Sequence, residues 1–147
     1  MGKSRELARL PNGPAFAASA SGATSLAATS FTKVLFATED FDTNANFASS
    51  RFTPTVAGYY QINACVQITG LIPYALAAIY KNGSAYKFGD QEQSGQTDPI
   101  KSVSALVYLN GSTDYVEIFA YNGAASPANT VASASVTWFD GHLARVA

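Results

Sequence analysis

Alternation of apolar and polar side chains over residues 57–69 limits most strongly how this chain can fold. From Tyr60 onward one face of the segment reads Tyr, Ile, Ala, Val, Ile, and from Tyr59 the other reads Tyr, Gln, Asn, Cys, Gln. Because successive side chains of a strand point to opposite faces of a sheet, the pattern predicts a strand with one buried face.

Further segments of the chain alternate with the same period of two. Four Asn-Gly pairs, which suit tight hairpin turns, lie between and around them. Only residues 3–10 carry a helical pattern, enough for about two turns. Many short strands with turn signals indicate a β-sandwich or barrel. The predicted strands lie near residues 14–19, 31–36, 50–54, 57–69, 74–81, 84–89, 100–109, 113–121 and 134–145.

Length and charge narrow the class of protein. A chain of 147 residues predicts one domain, and its single cysteine, Cys65, excludes an internal disulfide. Charged residues make up 13% of the chain with a net charge of −1, whereas nucleic-acid binders present a basic face. No apolar stretch follows the charged N-terminal residues, so we expect synthesis in a cytoplasm and no membrane insertion.

The N-terminal residues differ in composition from the rest. Three of the nine basic residues fall in the first ten positions, and prolines follow. We predict that residues 1–30 form a docking arm and entry strand, and that residues 31–147 form a globular head. A frayed terminus is the alternative. The predicted contacts of the arm are Lys3, Arg5, Leu7, Arg9 and Leu10.

Catalytic and metal-binding patterns are weak. His142 is the only histidine, and neither a Gly-x-Ser-x-Gly nor a His-Glu-x-x-His motif occurs. We expect Glu39, Asp40 and Asp42 to form a solvated rim, although they could mimic a glycosidase carboxylate pair. The chain is therefore predicted not to be an enzyme and to need no cofactor, with a hydrolase as a lesser alternative.

Residues 38–50 space oxygen-bearing side chains like a calcium loop. Asp40, Asp42, Asn44 and Asn46 would occupy its first, third, fifth and seventh positions. Such a loop also needs glycine at its sixth position and glutamate at its twelfth, where this chain has Ala45 and Arg51. We predict no metal site here but a corner of an all-β fold.

Five segments in order carry a family resemblance. They are FTKVLF (31–36), FDTNANFASSRFTPTVAGYYQI (41–62), AAIYKNGS (77–84), SALVYLNGSTDYVEI (104–118) and FDGHL (139–143). Together they resemble the globular head domain of complement's first component, q subcomponent, in the tumour necrosis factor superfamily. The matching positions of the second segment are Phe41, Asp42, Phe52, Pro54, Gly58 and Tyr60.

The sequence also departs from the family pattern. Ser112 and Thr113 separate Gly111 from Asp114, and no collagen Gly-X-Y repeat is present. The compact TPTVAGYYQINA and VYLNGSTDYVEI segments, with the KSRELA opening, resemble versions found in bacteriophage structural proteins.

The resemblance implies an all-β jelly-roll sandwich that assembles as a trimer, with Phe41 packed inward. It agrees with residues 100–109 and 113–121, which are apolar on both faces and so call for a second cover. That cover is either another subunit or loops of the same chain. The predicted interface residues are Tyr108, Tyr115, Phe119 and Tyr121.

A virion surface protein follows as the functional expectation. We expect a homotrimeric capsid decoration (cement) protein of a bacteriophage, attached by its arm to the major capsid protein or another virion protein. The receptor-binding tip of a tail fibre is the alternative, although the sequence has no heptad, collagen or β-helix repeat for a shaft. A host surface glycan or receptor is a further candidate partner, and no nucleic acid is expected.

Overall fold

The computed structural model describes residues 13–91 and 95–147 and, within them, contains strands and no helix. The predicted all-β class is therefore confirmed. The strands are β1 (Ala15–Ser19), β2 (Ser25–Leu26), β3 (Ser30–Lys33), β4 (Thr38–Asp42), β5 (Phe47–Ala48), β6 (Arg51–Phe52), β7 (Gly58–Gln67), β8 (Leu71–Ile72), β9 (Ala75–Lys81), β10 (Ser84–Phe88), β11 (Gln96–Thr97), β12 (Ile100–Leu109), β13 (Val116–Asn122), β14 (Ala128–Asn129) and β15 (Trp138–Val146).

Two antiparallel sheets form the sandwich. The first sheet has five strands in the order β12-β7-β15-β1-β4. The second sheet has six, in the order β10-β9-β13-β6-β5 with β3 also paired to β13. Two small sheets, β11-β8 and β14-β2, lie outside these layers. Neighbours in a sheet are often distant in sequence, as expected for a jelly roll.

The core lies between the sheets and follows the alternation of the sequence. The inner face predicted over residues 57–69 is buried throughout, with Tyr60, Ile62, Val66 and Ile68 each at 0% exposure. From the second sheet, Val116, Ile118 and Ala120 meet it, also at 0% exposure. The buried face predicted for residues 57–69 is thus confirmed.

Strand β1 belongs to this core although it lies in the N-terminal segment. It pairs with β15 on one side and β4 on the other. Phe16 is 1% exposed and stacks on Phe52 and Phe47, with ring centroids 4.3 Å and 5.1 Å apart. Residues from Ala15 onward are therefore part of the sandwich. The predicted helix over residues 3–10 lies outside the described residues.

The stretch predicted as a corner contains an edge strand, β4, followed by a turn. In the turn the Asp42 carboxylate accepts hydrogen bonds from the N–H groups of Asn44 (3.2 Å) and Phe47 (2.6 Å). The expectation that Phe41 packs inward is wrong, because its side chain is 52% exposed. Phe41 pairs with Ala17, whose neighbours Phe16 and Ala18 fill the core, so Phe41 faces outward.

Candidate interaction faces

The outer face of the first sheet, turned away from the core, concentrates exposed apolar side chains. Among the described residues ten large hydrophobic side chains are exposed. Half of these lie on this face: Phe41, Tyr59, Ile100, Leu106 and Tyr108. Tyr59, Leu106 and Tyr108 adjoin one another, and a contiguous apolar patch marks an interaction surface. Phe41 lies apart on the edge strand β4, and Ile100 lies at the other end of β12.

One end of the face is the most apolar. The rings of Tyr59 and Tyr108 pair across β7 and β12 with centroids 5.5 Å apart. Beside them a shallow groove of about 560 Å³ is lined by Tyr59, Leu106 and residues 144–147. Leu106 is 52% exposed and Val146 is 60% exposed. This end offers flat apolar area suited to packing against a second protein surface.

The centre of the face is polar but satisfied within the chain. Ser104 Oγ donates to Asn63 Oδ1 at 2.7 Å, and Asn63 Nδ2 donates to Asp140 Oδ1 at 2.8 Å. Gln61 Nε2 donates to both Ser104 Oγ (2.9 Å) and Asn63 Oδ1 (3.1 Å). Because these groups already hydrogen-bond one another, a second protein surface can cover the centre without leaving many buried donors or acceptors unpaired.

Two residues with reactive side chains, His142 and Cys65, lie on the same face. His142 pairs with Ala15 and Gln61 and is exposed. Cys65 is 9% exposed, and burial raises the pKa of its thiol. A thiol held in the neutral form is a poor nucleophile. Within the described residues, His, Cys, Asp and Glu form no group of three that could hold a metal ion.

The four predicted interface residues do not form one patch. Tyr108 lies on the first sheet, whereas Phe119 and Tyr121 lie on the outer face of the second. There Phe119 stacks on Tyr80 with ring centroids 3.9 Å apart, and the Tyr121 and Phe31 ring centroids are 5.1 Å apart. Phe119 and Tyr121 are thus partly covered by their own chain, which was the alternative to a subunit interface. Their role in an interface stays a prediction.

The remaining predicted site residues fall elsewhere. Tyr115, which precedes β13, lies beneath Arg51, whose guanidinium carbon is 3.8 Å from the ring centroid. The arm residues lie outside the described part of the chain: Lys3, Arg5, Leu7, Arg9 and Leu10.

The sequence did not predict a buried ion pair on the second sheet. Glu117 is 4% exposed, and its Oε1 accepts from Lys33 Nζ at 2.6 Å and Arg51 Nε at 2.9 Å. Burial alone would raise the pKa of Glu117, but the two cations and their hydrogen bonds outweigh it, so the pKa lies below its usual 4.5. Its one signal in the sequence is a lone carboxylate among the aromatic residues of β13.

This ion pair gives a prediction on acid stability. Because the folded-state pKa of Glu117 is lowered, its contribution is present above the ordinary value of 4.5 and is lost as pH falls through the folded value. Glu117→Gln should lower the free energy of unfolding at neutral pH by about 1–2 kcal/mol and flatten its decline in acid. Urea unfolding between about pH 3 and 7 measures both effects.

The matched control is Glu39→Gln, since Glu39 is an exposed carboxylate on the edge strand β4. This variant should follow the unmodified protein across the pH range. Equal acid slopes for Glu117→Gln and the unmodified protein would show that the pair adds no pH-dependent stability. Asp114 contributes with the same sign, because hydrogen bonds led by that from Asn82 lower its pKa, so the slope should flatten only in part.

Comparison with solved structures places this arrangement of strands. Murine APRIL matches with a TM-score of 0.70 and 10% identity over 90% of this chain and 99% of that one. The globular domain of zebrafish complement 1qA protein matches with a TM-score of 0.62 and 17% identity, over 91% of this chain and 99% of that one. The chain has the jelly-roll fold of these proteins. The PRD1 vertex protein P5 also matches, with a TM-score of 0.57 and 13% identity over 89% and 95%.

At such identities the likeness establishes the jelly-roll fold alone. No protein-family model matches the sequence. No curated protein matches it either. None of the described residues belongs to a helix long and apolar enough to cross a membrane. The jelly roll thus confirms the predicted fold class, and the outer face of its first sheet is the strongest candidate for an interaction.

Proposed function

We propose that this chain is a bacteriophage virion structural protein, a homotrimeric knob that decorates the capsid. The observation that carries the proposal is the outer face of the first sheet. Exposed apolar side chains lie there beside a polar centre whose side chains hydrogen-bond one another. A knob needs rigid contact surfaces and no reactive groups. The role is therefore one of binding and assembly, and we propose no catalytic activity.

The trimer is supported by how the first sheet could be covered. Leu106, Tyr59 and Tyr108 are 52%, 42% and 41% exposed in the isolated chain. Each side chain of this size gains about 1.5–3 kcal/mol when fully buried, so burying the remaining exposed part adds a useful share for each subunit. Closed symmetry lets identical chains cover these faces without leaving one open. The resemblance to the tumour necrosis factor superfamily implies the same arrangement.

The virion location has two independent supports. Three sequence segments resemble bacteriophage structural proteins, and the fold resembles that of the PRD1 vertex protein P5. The partner on the particle would be the major capsid protein or another virion protein, and the outward side of the knob would remain open to the host surface.

Immunogold electron microscopy of intact particles tests the location directly. Label spread over the head would support the decoration role. Label confined to the tail end would contradict it and favour the alternative, the receptor-binding tip of a fibre whose shaft another chain supplies.

Removal of residues 2–12 should abolish attachment to particles while leaving a folded trimer. The reason is that the sandwich begins with β1 at Ala15, so the deletion spares every described strand. The deleted segment contains Lys3, Arg5 and Arg9, which are proposed to grip the shell. Co-sedimentation with particles lacking this protein measures attachment, and sedimentation velocity measures the trimer.

A charge control separates the arm from general electrostatics. Lys87 is an exposed cation on β10 of the second sheet. Its replacement by Gln should leave attachment intact. If the truncated protein still binds particles as well as the full chain, the arm is not the anchor.

A further inference from the structure

A hollow on the second sheet combines two cations with hydroxyl-bearing walls. Its volume is about 510 Å³, and it lies where β3, β5 and β6 meet. Lys33 and Arg51 line it, and their side chains remain 28% and 43% exposed. No carboxylate is among the described residues that line it. The remaining polar lining comes from Asn46, Ser49, Thr53 and Thr55.

Arg51 is held in place before any ligand arrives. Its Nε donates to Glu117 Oε1 at 2.9 Å, and its guanidinium lies over the Tyr115 ring, 3.8 Å from the centroid. A stacked and anchored guanidinium loses little conformational freedom on binding. Among the described residues no hydrogen bond involves its terminal Nη atoms, which are the pair that fits a planar carboxylate.

Lys33 is fixed in the same way. Its Nζ donates to Glu117 Oε1 and to the backbone oxygen of Ser49, at 2.6 Å and 2.9 Å. An ammonium has three donors, so these two bonds leave one for a ligand. Glu117 is the one carboxylate that pairs with the two cations among the described residues, so these three side chains together carry one positive charge.

The backbone around the hollow is strained. Ala45 and Ser49, which line it, and the adjacent Ser50 have φ angles of 53°, 52° and 58°. Residues with a side chain rarely adopt this left-handed conformation, which costs about 1 kcal/mol or more at each position. At Ser49 and Ser50 the two-residue turn between β5 and β6, across which Ala48 pairs with Arg51, requires positive φ at both positions. This turn places Arg51 and the Ser49 backbone oxygen that accepts from Lys33 beside the hollow.

We propose that this hollow binds the carboxylate of an acidic sugar, with Arg51 and Lys33 holding the carboxylate and hydroxyl groups of the lining holding the ring. One uncompensated positive charge matches one carboxylate better than a doubly charged phosphate. The volume exceeds what a carboxylate needs, and Ser49, Thr53 and Thr55 supply hydroxyls of the kind that bond to sugar hydroxyls. The site deepens the proposed contact with the host surface.

The test uses the isolated full-length protein, so it is independent of particle attachment. Nuclear magnetic resonance titration with glucuronate at fixed ionic strength should shift the Arg51 Nε–Hε signal in a saturable way. Glucose, which lacks the carboxylate, should leave that signal in place. Failure of this titration would overturn the sugar site and leave the decoration role standing, since that depends on gold labelling.

Matched variants make the result specific. Arg51→Lys keeps the charge beside Glu117 but loses the planar fork, and it should weaken glucuronate binding about tenfold or more. Lys87→Gln removes a charge from β10, away from the hollow, and should bind as the unmodified protein does. Equal affinity of Arg51→Lys and the unmodified protein would overturn the proposal. Sulfate or phosphate binding as tightly as glucuronate would show a general oxyanion site and overturn the assignment to an acidic sugar.

Discussion

Leu106→Asp is expected to convert the proposed trimer into folded monomers. In the isolated chain Leu106 is 52% exposed on β12, so the substitution should change the stability of a monomer by about 0.5 kcal/mol or less. In the trimer the new carboxylate would lie against the apolar end of the first sheet and lose its water. Burying an unpaired charge costs far more free energy than the contacts of one subunit contribute. Sedimentation velocity measures the change in mass.

Leu71→Asp is the matched control for this experiment. Leu71 is 67% exposed on β8, which pairs with β11 in a small separate sheet. The same charge at that position should leave the trimer intact. A Leu106→Asp protein that remains trimeric with unchanged thermal stability would exclude this face. The aromatic cluster around Phe119 and Tyr121 would then become the leading candidate for the interface.

The sequence carries enough information to predict the strands that have one face in the core. Period-two alternation located β7 because burial on one side and water on the other act on every second residue. Strands β12 and β13 were also located, although both of their faces are apolar in the sequence. The Asn82-Gly83 pair located the hairpin between β9 and β10. Both residues have positive φ, 52° and 79°, and Lys81 faces Ser84 across the turn.

Strand β4 was missed because its residues are exposed on both sides. Its burial pattern has four exposed residues followed by one half-buried residue. An edge strand of this kind is held by backbone hydrogen bonds to β1, which leave no trace in hydropathy. Its charged residues and the Asx-rich turn after it favoured a loop. Strands of two residues, such as β5 and β14, are too short to show any period.

The candidate sites were harder to predict because they join distant residues. Glu117 meets Lys33 and Arg51 from 84 and 66 residues away. Alternation shows that β13 is apolar on its second face, but it cannot say whether another subunit or Phe31 and Tyr80 of the same chain supply the cover. That information exists only once the strand order of the second sheet is known.

Phe16→Ala is expected to lower the free energy of unfolding by about 3–5 kcal/mol. Phe16 is 1% exposed, stacks on Phe52 and Phe47, and meets the edge of Phe139 at 4.8 Å, so its loss leaves a cavity bounded by three rigid rings. Since a domain has only about 5–15 kcal/mol of stability, the loss is a large part of the total.

The matched control for Phe16→Ala is Phe41→Ala, the same substitution on the neighbouring strand β4. Phe41 is 52% exposed, so this change should cost about 1 kcal/mol or less. Urea unfolding of both variants in the Leu106→Asp background keeps subunit association out of the comparison. Equal losses would place β1 outside the cooperative core. A larger loss for Phe16 would place the boundary between arm and domain before Ala15, so that the arm could vary in sequence without unfolding the knob.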